Sequence, residues 1–209
     1  MSTETPTRDA VSDDSPTPDA TAQPRVYCAL VHFPVRDRTG DTVTSAVTNI
    51  DVHDLARSAR TYGLRGYFVV TPITAQRALV SRILEHWDSP AGVKRMPERG
   101  DALSICASAA SVDEVLQVIT EREGARPRIV TTSARTEGGR VPHSYDEERA
   151  AIAAADRPTL ILFGTGHGLQ KVLVDRSDAL LAPIRPSTYN HLSVRAAAAI
   201  TLDRLFGDG

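Results

Sequence analysis

Cysteine is nearly absent from this sequence: Cys28 and Cys106 are the only two in 209 residues, and neither has a CxxC partner or a companion cluster. That usage predicts no disulfide framework and no zinc site, so both are read as buried core thiols of a reducing compartment. Long apolar runs are missing as well. No stretch reaches the roughly 18 apolar residues of a membrane span, and the N-terminus has no hydrophobic signal segment. A cytoplasmic protein with no membrane contact is expected. His32, His86 and His143 show no metal-ligand spacing, and no metal is expected. Lysine is scarce too, with Lys94 and Lys171 the only two. The arginines that carry the remaining positive charge suit bidentate phosphate contacts, although a GC-rich coding bias produces the same preference. The net charge of −2 does not decide for or against a nucleic-acid partner, because phosphate contact depends on a local basic face.

What is present is ordinary for a globular domain: 41% hydrophobic and 24% charged residues. Residues 1–24 are rich in Ser, Thr, Pro and Asp, with Arg8 set against Glu4, Asp9, Asp13, Asp14 and Asp19. Such a segment buries too little surface to offset the entropy of ordering, and a disordered acidic tail is expected there. From Val26 the pattern changes. Short apolar runs recur at VYCALV (26–31), GYFVV (66–70), ALSICAS (102–108), RIVTT (128–132), TLILF (159–163) and ALLA (179–182), as expected of strands covered on both faces. Helical spacing separates them, at Val52, Leu55, Ala56, Ala59 and Tyr62, at Val80, Ile83, Leu84 and Trp87, and at Val112, Val115, Leu116 and Ile119. Ser111 with Glu114 and Ser144 with Glu147 have the spacing of capping boxes. An alanine-rich helix is expected over roughly 190–206. The alternation predicts one α/β domain over 25–209, a three-layer sandwich around a mainly parallel sheet.

Ligands of an open parallel sheet collect beyond the carboxyl ends of its strands. Three such ends are unusual here: Thr131-Thr132-Ser133-Ala134-Arg135, then Phe163-Gly164-Thr165-Gly166-His167-Gly168-Leu169, then Ile184 followed by Tyr189-Asn190-His191-Leu192-Ser193-Val194-Arg195. The glycine-rich turn lacks the Lys-Ser/Thr ending of a P-loop. It also lacks the acidic residue that follows a dinucleotide fingerprint, which makes a Rossmann-like nucleotide enzyme the weaker alternative.

In order and spacing the three segments resemble the SPOUT methyltransferases, particularly the SpoU branch. The first motif of that family is matched by Asn49, Asp51 and Arg57 on one helical stretch, followed by Gly63 and by Tyr67 to Pro72. The glycine-rich turn matches the second motif, and Asn190 to Ala197 the third. His32-Phe33-Pro34-Val35, Ala46-Val47-Thr48-Asn49, Arg60-Thr61-Tyr62, the TTSAR and FGTGHGL segments and YNHLSVR together resemble one SPOUT group of RNA methyltransferases over essentially all of 26–206. This chain departs from the SpoU pattern in three places. The spacing back from Arg57 puts Asp51 at the family's Asn position, Thr165 replaces the usual Glu, and one extra residue separates Asn190 from Ser193.

The resemblance implies a deep C-terminal trefoil knot, a homodimer, an RNA substrate (tRNA or rRNA) and S-adenosyl-L-methionine as cofactor. It assigns cofactor contacts to Thr132, Ser133, Phe163, Gly164, Thr165, Gly166, Ile184, Asn190, Leu192 and Ser193. The bland alternatives are helix caps at Asn190 and Ser193 and close-packing glycines in the turn. The catalytic candidates are Arg57, Asn49, Asp51 and Arg135. Arg57, the foremost of these, shares a polar stripe with His53 and Arg60 on the side of the helix opposite its apolar residues, for which a solvated basic face is the lesser alternative. A guanidinium is too basic for a general base, so Arg57 is expected to position a phosphate or stabilise an oxyanion. A catalytically silent knotted protein that binds cofactor or RNA is the second reading of the same residues, suggested by the departures at Asp51 and Thr165.

Overall fold

The apolar runs pair side by side because each is covered on both faces. In the computed structural model, which describes residues 25–135, 139–185 and 189–208, they form one six-stranded sheet. Its strands are β1 (Val26–Val31), β4 (Gly66–Val70), β5 (Cys106–Ala109), β6 (Arg128–Thr131), β7 (Thr159–Gly164) and β8 (Ala179–Leu180). Two short strands after β1, β2 (Val35–Arg36) and β3 (Thr42–Val43), make a separate antiparallel pair. The large sheet has the order β5-β4-β1-β7-β6-β8 and every pairing in it is parallel. In the central register Cys28 lies opposite Tyr67 on one side and Ile161 on the other.

Strand side chains alternate between two apolar layers. Cys28, Leu30, Tyr67, Val69, Ile161 and Phe163 face one, and Ala29, Val31, Phe68, Val70, Leu160 and Leu162 face the other. The first layer is filled by α1 (Asn49–Thr61), α2 (Thr74–Asp88), α4 (Pro97–Ser104), α6 (Tyr145–Ala153) and α8 (Val194–Phe206); the second by α5 (Val112–Glu123) and α7 (Lys171–Asp175). A short helix, α3 (Pro90–Arg95), links α2 to α4. Both thiols are buried and free, and burial pushes Cys106 up to about 12. Among the described residues no helix is long and apolar enough to cross a membrane.

Two expectations need adjustment. ALSICAS does not form one strand, because Pro97 at the first turn starts a helix that carries Ala102 and Leu103 on its buried face, and the strand begins only at Cys106. Ser144 and Glu147 do form a complete capping box. Ser111 caps the Glu114 amide, but the Glu114 carboxylate accepts from the Ala110 amide rather than from that of Ser111.

The chain at His143, just before α6, runs outside β8. Leu181 donates its amide to Thr131 O on one side, while His143 N donates to Leu180 O and Ala182 N to His143 O on the other. Residues 180–182 therefore lie between β6 and the chain that leads into α6. A buried charge fixes that chain. Glu148, fully buried at the start of α6, accepts both Arg128 guanidinium nitrogens from β6 and faces His143 Nδ1 at 3.1 Å. Breaking one side of such a pair leaves an uncompensated buried charge and costs about 3–5 kcal/mol. Glu148→Ala is expected to lower unfolding free energy by that amount in denaturant titration, while Asp175→Ala, which frees the exposed Lys171, should change it by less than about 1 kcal/mol.

Candidate functional site

The carboxyl ends of β1, β6 and β7 open on one cavity of about 660 Å³, within the roughly 300–1,000 Å³ of small-molecule sites. The glycine-rich turn after β7 forms one wall, and its shape is imposed by main chain. Arg36 N donates to Gly168 O, His167 N donates to Arg36 O, and Val35 bridges to Leu169, so β2 lies against the turn. A Cβ on Gly164 would stand 2.5 Å from the Leu169 amide nitrogen. Gly166 has φ +60°, and a Cβ there would meet Arg36 O at 3.0 Å. These two glycines are required by the fold of the turn.

The other walls come from the loops after β6 and β8. Thr132 donates its hydroxyl to Leu162 O, and Ser133 Oγ accepts the Arg135 amide. The Asn190 amide group donates to Ala134 O at 2.8 Å, joining the two loops. Arg204, near the end of α8, holds Ile184 O at 2.9 Å. Ser193 caps α8 by accepting the Ala196 amide, so it is both a cap and a lining residue. Every residue assigned to the cofactor by sequence lines this cavity: Thr132, Ser133, Phe163, Gly164, Thr165, Gly166, Ile184, Asn190, Leu192 and Ser193.

The catalytic candidates divide. Asp51 and Arg135 line the cavity; Asn49 and Arg57 do not. Asp51 is buried beneath it, with one carboxylate oxygen accepting from Arg195 at 2.7 Å and the other from Thr48 Oγ1 at 2.5 Å. Arg195 also approaches Asp54 at 3.4 Å, so the first turn of α8 is ionically tied to the first turns of α1. Asn49 is the exposed first residue of α1. Arg57 is exposed on the side of α1 that faces α2 and α4, where Arg60 pairs with Asp101 and His53 meets the Trp87 ring edge-on. Burial, followed by the nearby Arg99 charge, lowers the His53 pKa.

Sequence reasoning did not assign Arg36, Ser45 or Arg195 to the site, and it set His32 aside. Arg36 and Ser45 line the cavity, and His32 lies fully buried behind Ser45. His32 belongs to the HFPV segment and Arg195 to the YNHLSVR segment, whereas Arg36 and Ser45 lie in neither, and no periodicity shows that the fold brings the four together. Among the described residues no group of His, Cys, Asp and Glu is arranged to hold a metal ion.

A family model described as SAM-dependent RNA methyltransferase matches residues 25–207. A relative from Oleidesulfovibrio alaskensis named tRNA (guanine-N(1)-)-methyltransferase is 43% identical over 184 residues, which are 88% of this chain and 42% of that protein. The chain thus spans about two-fifths of the length of that relative. An uncharacterized protein of Aquifex aeolicus is 42% identical over 182 residues, 87% of this chain and 88% of its own length. Among solved structures, a putative methylase family protein from Neisseria gonorrhoeae has a TM-score of 0.61 at 15% identity, covering 92% of this chain and 86% of that one. The SpoU methyltransferase AviRb from Streptomyces viridochromogenes, in complex with AdoMet, has a TM-score of 0.53 at 17% identity, covering 88% of this chain and 57% of that one. The structural likenesses establish a SpoU-type α/β fold, and the match across residues 25–207 makes this chain a member of the SAM-dependent RNA methyltransferase family.

Proposed function

We propose that this protein transfers a methyl group from S-adenosyl-L-methionine to a nucleotide of tRNA or rRNA, at a ribose oxygen or a base nitrogen, and that it works as a homodimer in the cytoplasm. The observation that carries this reading is the convergence of three strand-end loops on one cavity in a chain of this family. The residues fit the cofactor. Thr132, Gly164 to Gly166 and Ile184 line the cavity, and Ile184 and Leu192 supply apolar surface for an adenine ring. When bound, the cofactor supplies a sulfonium-activated methyl group. The chain's own part is then to orient the acceptor atom and exclude water. Arg36 and Arg135 place cationic groups on the lining, where an RNA phosphate would be met. The guanine-N1 name belongs to a relative more than half of which lies outside the match, so the methylated atom is not inferred from it.

The knot is part of the proposal. It is supported by residues 180–182, which run between β6 and the chain entering α6 before α8 packs back over α1 and α6. The dimer is supported by the position of Arg57. In its own chain that side chain lies off the cavity, so it reaches a methyl group only at a partner's site. Ile50, Tyr189 and Leu192 add exposed apolar surface at the start of α1 and ahead of α8. The acidic tail lies outside the described residues, and the family match begins at residue 25, which supports a domain that does not need it.

Four outcomes are expected. Calorimetry should give S-adenosylmethionine binding to the wild type, weakened about tenfold or more, roughly 1.4 kcal/mol, by Gly166→Val or Asn190→Ala; a wild type that binds none would end the cofactor reading. Removing residues 2–24 should leave cofactor affinity and melting temperature unchanged within a few degrees, as read by calorimetry and scanning fluorimetry. Arg57→Ala should abolish methyl transfer with cofactor affinity intact, and mixing it with Gly166→Val under subunit exchange should restore part of the activity; a fully active monomer in light scattering contradicts the composite site. In cells without the gene, one methylated nucleoside should vanish from the total RNA profile, which identifies both the nucleotide and the atom.

A further inference from the structure

Behind the glycine turn lies a hydrogen-bond chain whose direction is fixed by its last member. Thr165 Oγ1 is 3.0 Å from Val31 O, and a carbonyl has no proton, so the threonine hydroxyl donates there. Having one proton, Thr165 can only accept from Ser45, whose hydroxyl is in direct hydrogen-bond contact with it. Ser45 has then committed its own proton and must accept from His32 Nδ1, 2.8 Å away. The imidazole therefore carries its hydrogen on Nδ1. The fully buried ring leaves Nε2 without a partner among the described residues, which suits a bare lone pair far better than a stranded N–H. Burial lowers the His32 pKa to about 4, so the ring is neutral near pH 7.

The consequence appears on the cavity side. Ser45 and Thr165 both line the cavity, and each retains one unused lone pair with no proton left to give. The Asp51 carboxylate lines the same cavity and is acceptor-only as well. Two adjacent hydroxyl oxygens with no proton to give select a ligand group that is rich in donors.

We propose that Ser45 and Thr165 form the subsite for the ammonium group of S-adenosylmethionine, and that His32 is the positioning residue that keeps both hydroxyls in the accepting state. This inference rests on the cofactor reading above. An ammonium has three donors, two of which match the two hydroxyl oxygens. The assignment also orients the cofactor, with its amino-acid end toward the loop after β1 and its adenine toward Ile184 and Leu192. Thr165, at the place of the family's usual glutamate, becomes functional through its two partners.

The test is calorimetry on the full chain with S-adenosylhomocysteine and with its desamino analogue, in which hydrogen replaces the ammonium. Ser45→Ala should weaken S-adenosylhomocysteine about tenfold and leave the analogue unchanged. His32→Leu should do the same, and His32→Asn, whose amide nitrogen can stand where Nδ1 stood, should recover most of the loss. An equal loss for both ligands would show a merely structural role. No loss in Ser45→Ala would place the ammonium elsewhere, and a change confined to the KM for RNA would assign the donor to RNA; each result overturns the proposal. A wild type that binds neither ligand would instead remove the cofactor reading, and this inference with it.

Discussion

The cavity depends on a main-chain clamp between the segment after β1 and the turn after β7. Arg36 and the 166–169 backbone exchange hydrogen bonds that would otherwise go to water, and this holds the turn open toward the cavity. The clamp is possible only because Gly164 and Gly166 carry no side chain where Leu169 and Arg36 approach. It also brings Thr165 within reach of Ser45 and Val31, far away in sequence. Strand β1 is central, paired with β4 and β7, so the clamp is anchored at the most constrained part of the sheet.

The remaining walls are tied to this anchor by polar links. Arg195 bonds Asp51 and approaches Asp54, Asn190 bonds the loop after β6, and Arg204 holds the loop after β8. Each link joins residues distant in the chain, so the three loops gain their mutual position from the fold. Such pre-ordering lowers the entropy lost when a ligand binds and holds reacting groups in register. The buried Arg128–Glu148 pair extends the same principle to the chain that encloses residues 180–182.

The sheet was legible because strands buried on both faces read as continuous apolar runs; GYFVV matches β4 residue for residue. ALSICAS misled because Ala102, Leu103 and Cys106 are all buried and apolar, and periodicity cannot separate a short buried helix end from a strand. The residues that line the cavity were legible through the motif resemblance rather than through propensity. Ser45 and His32 were not, because their importance lies in one hydrogen-bond chain across the strand ends, which leaves no periodic trace. Arg57 shows the opposite limit. Its motif was plain, yet a single chain places it beside α2 and α4 and away from the cavity.

The central claim is that this cavity presents an activated methyl group to RNA. Its most direct measurement is transfer of labelled methyl from S-adenosylmethionine, by the purified chain, to RNA prepared from cells that lack the gene and from cells that have it. The account predicts incorporation into the first RNA and little into the second, whose site is already methylated. Cofactor binding with no label in either RNA would contradict the account and favour a protein that keeps the fold and the cavity without the reaction.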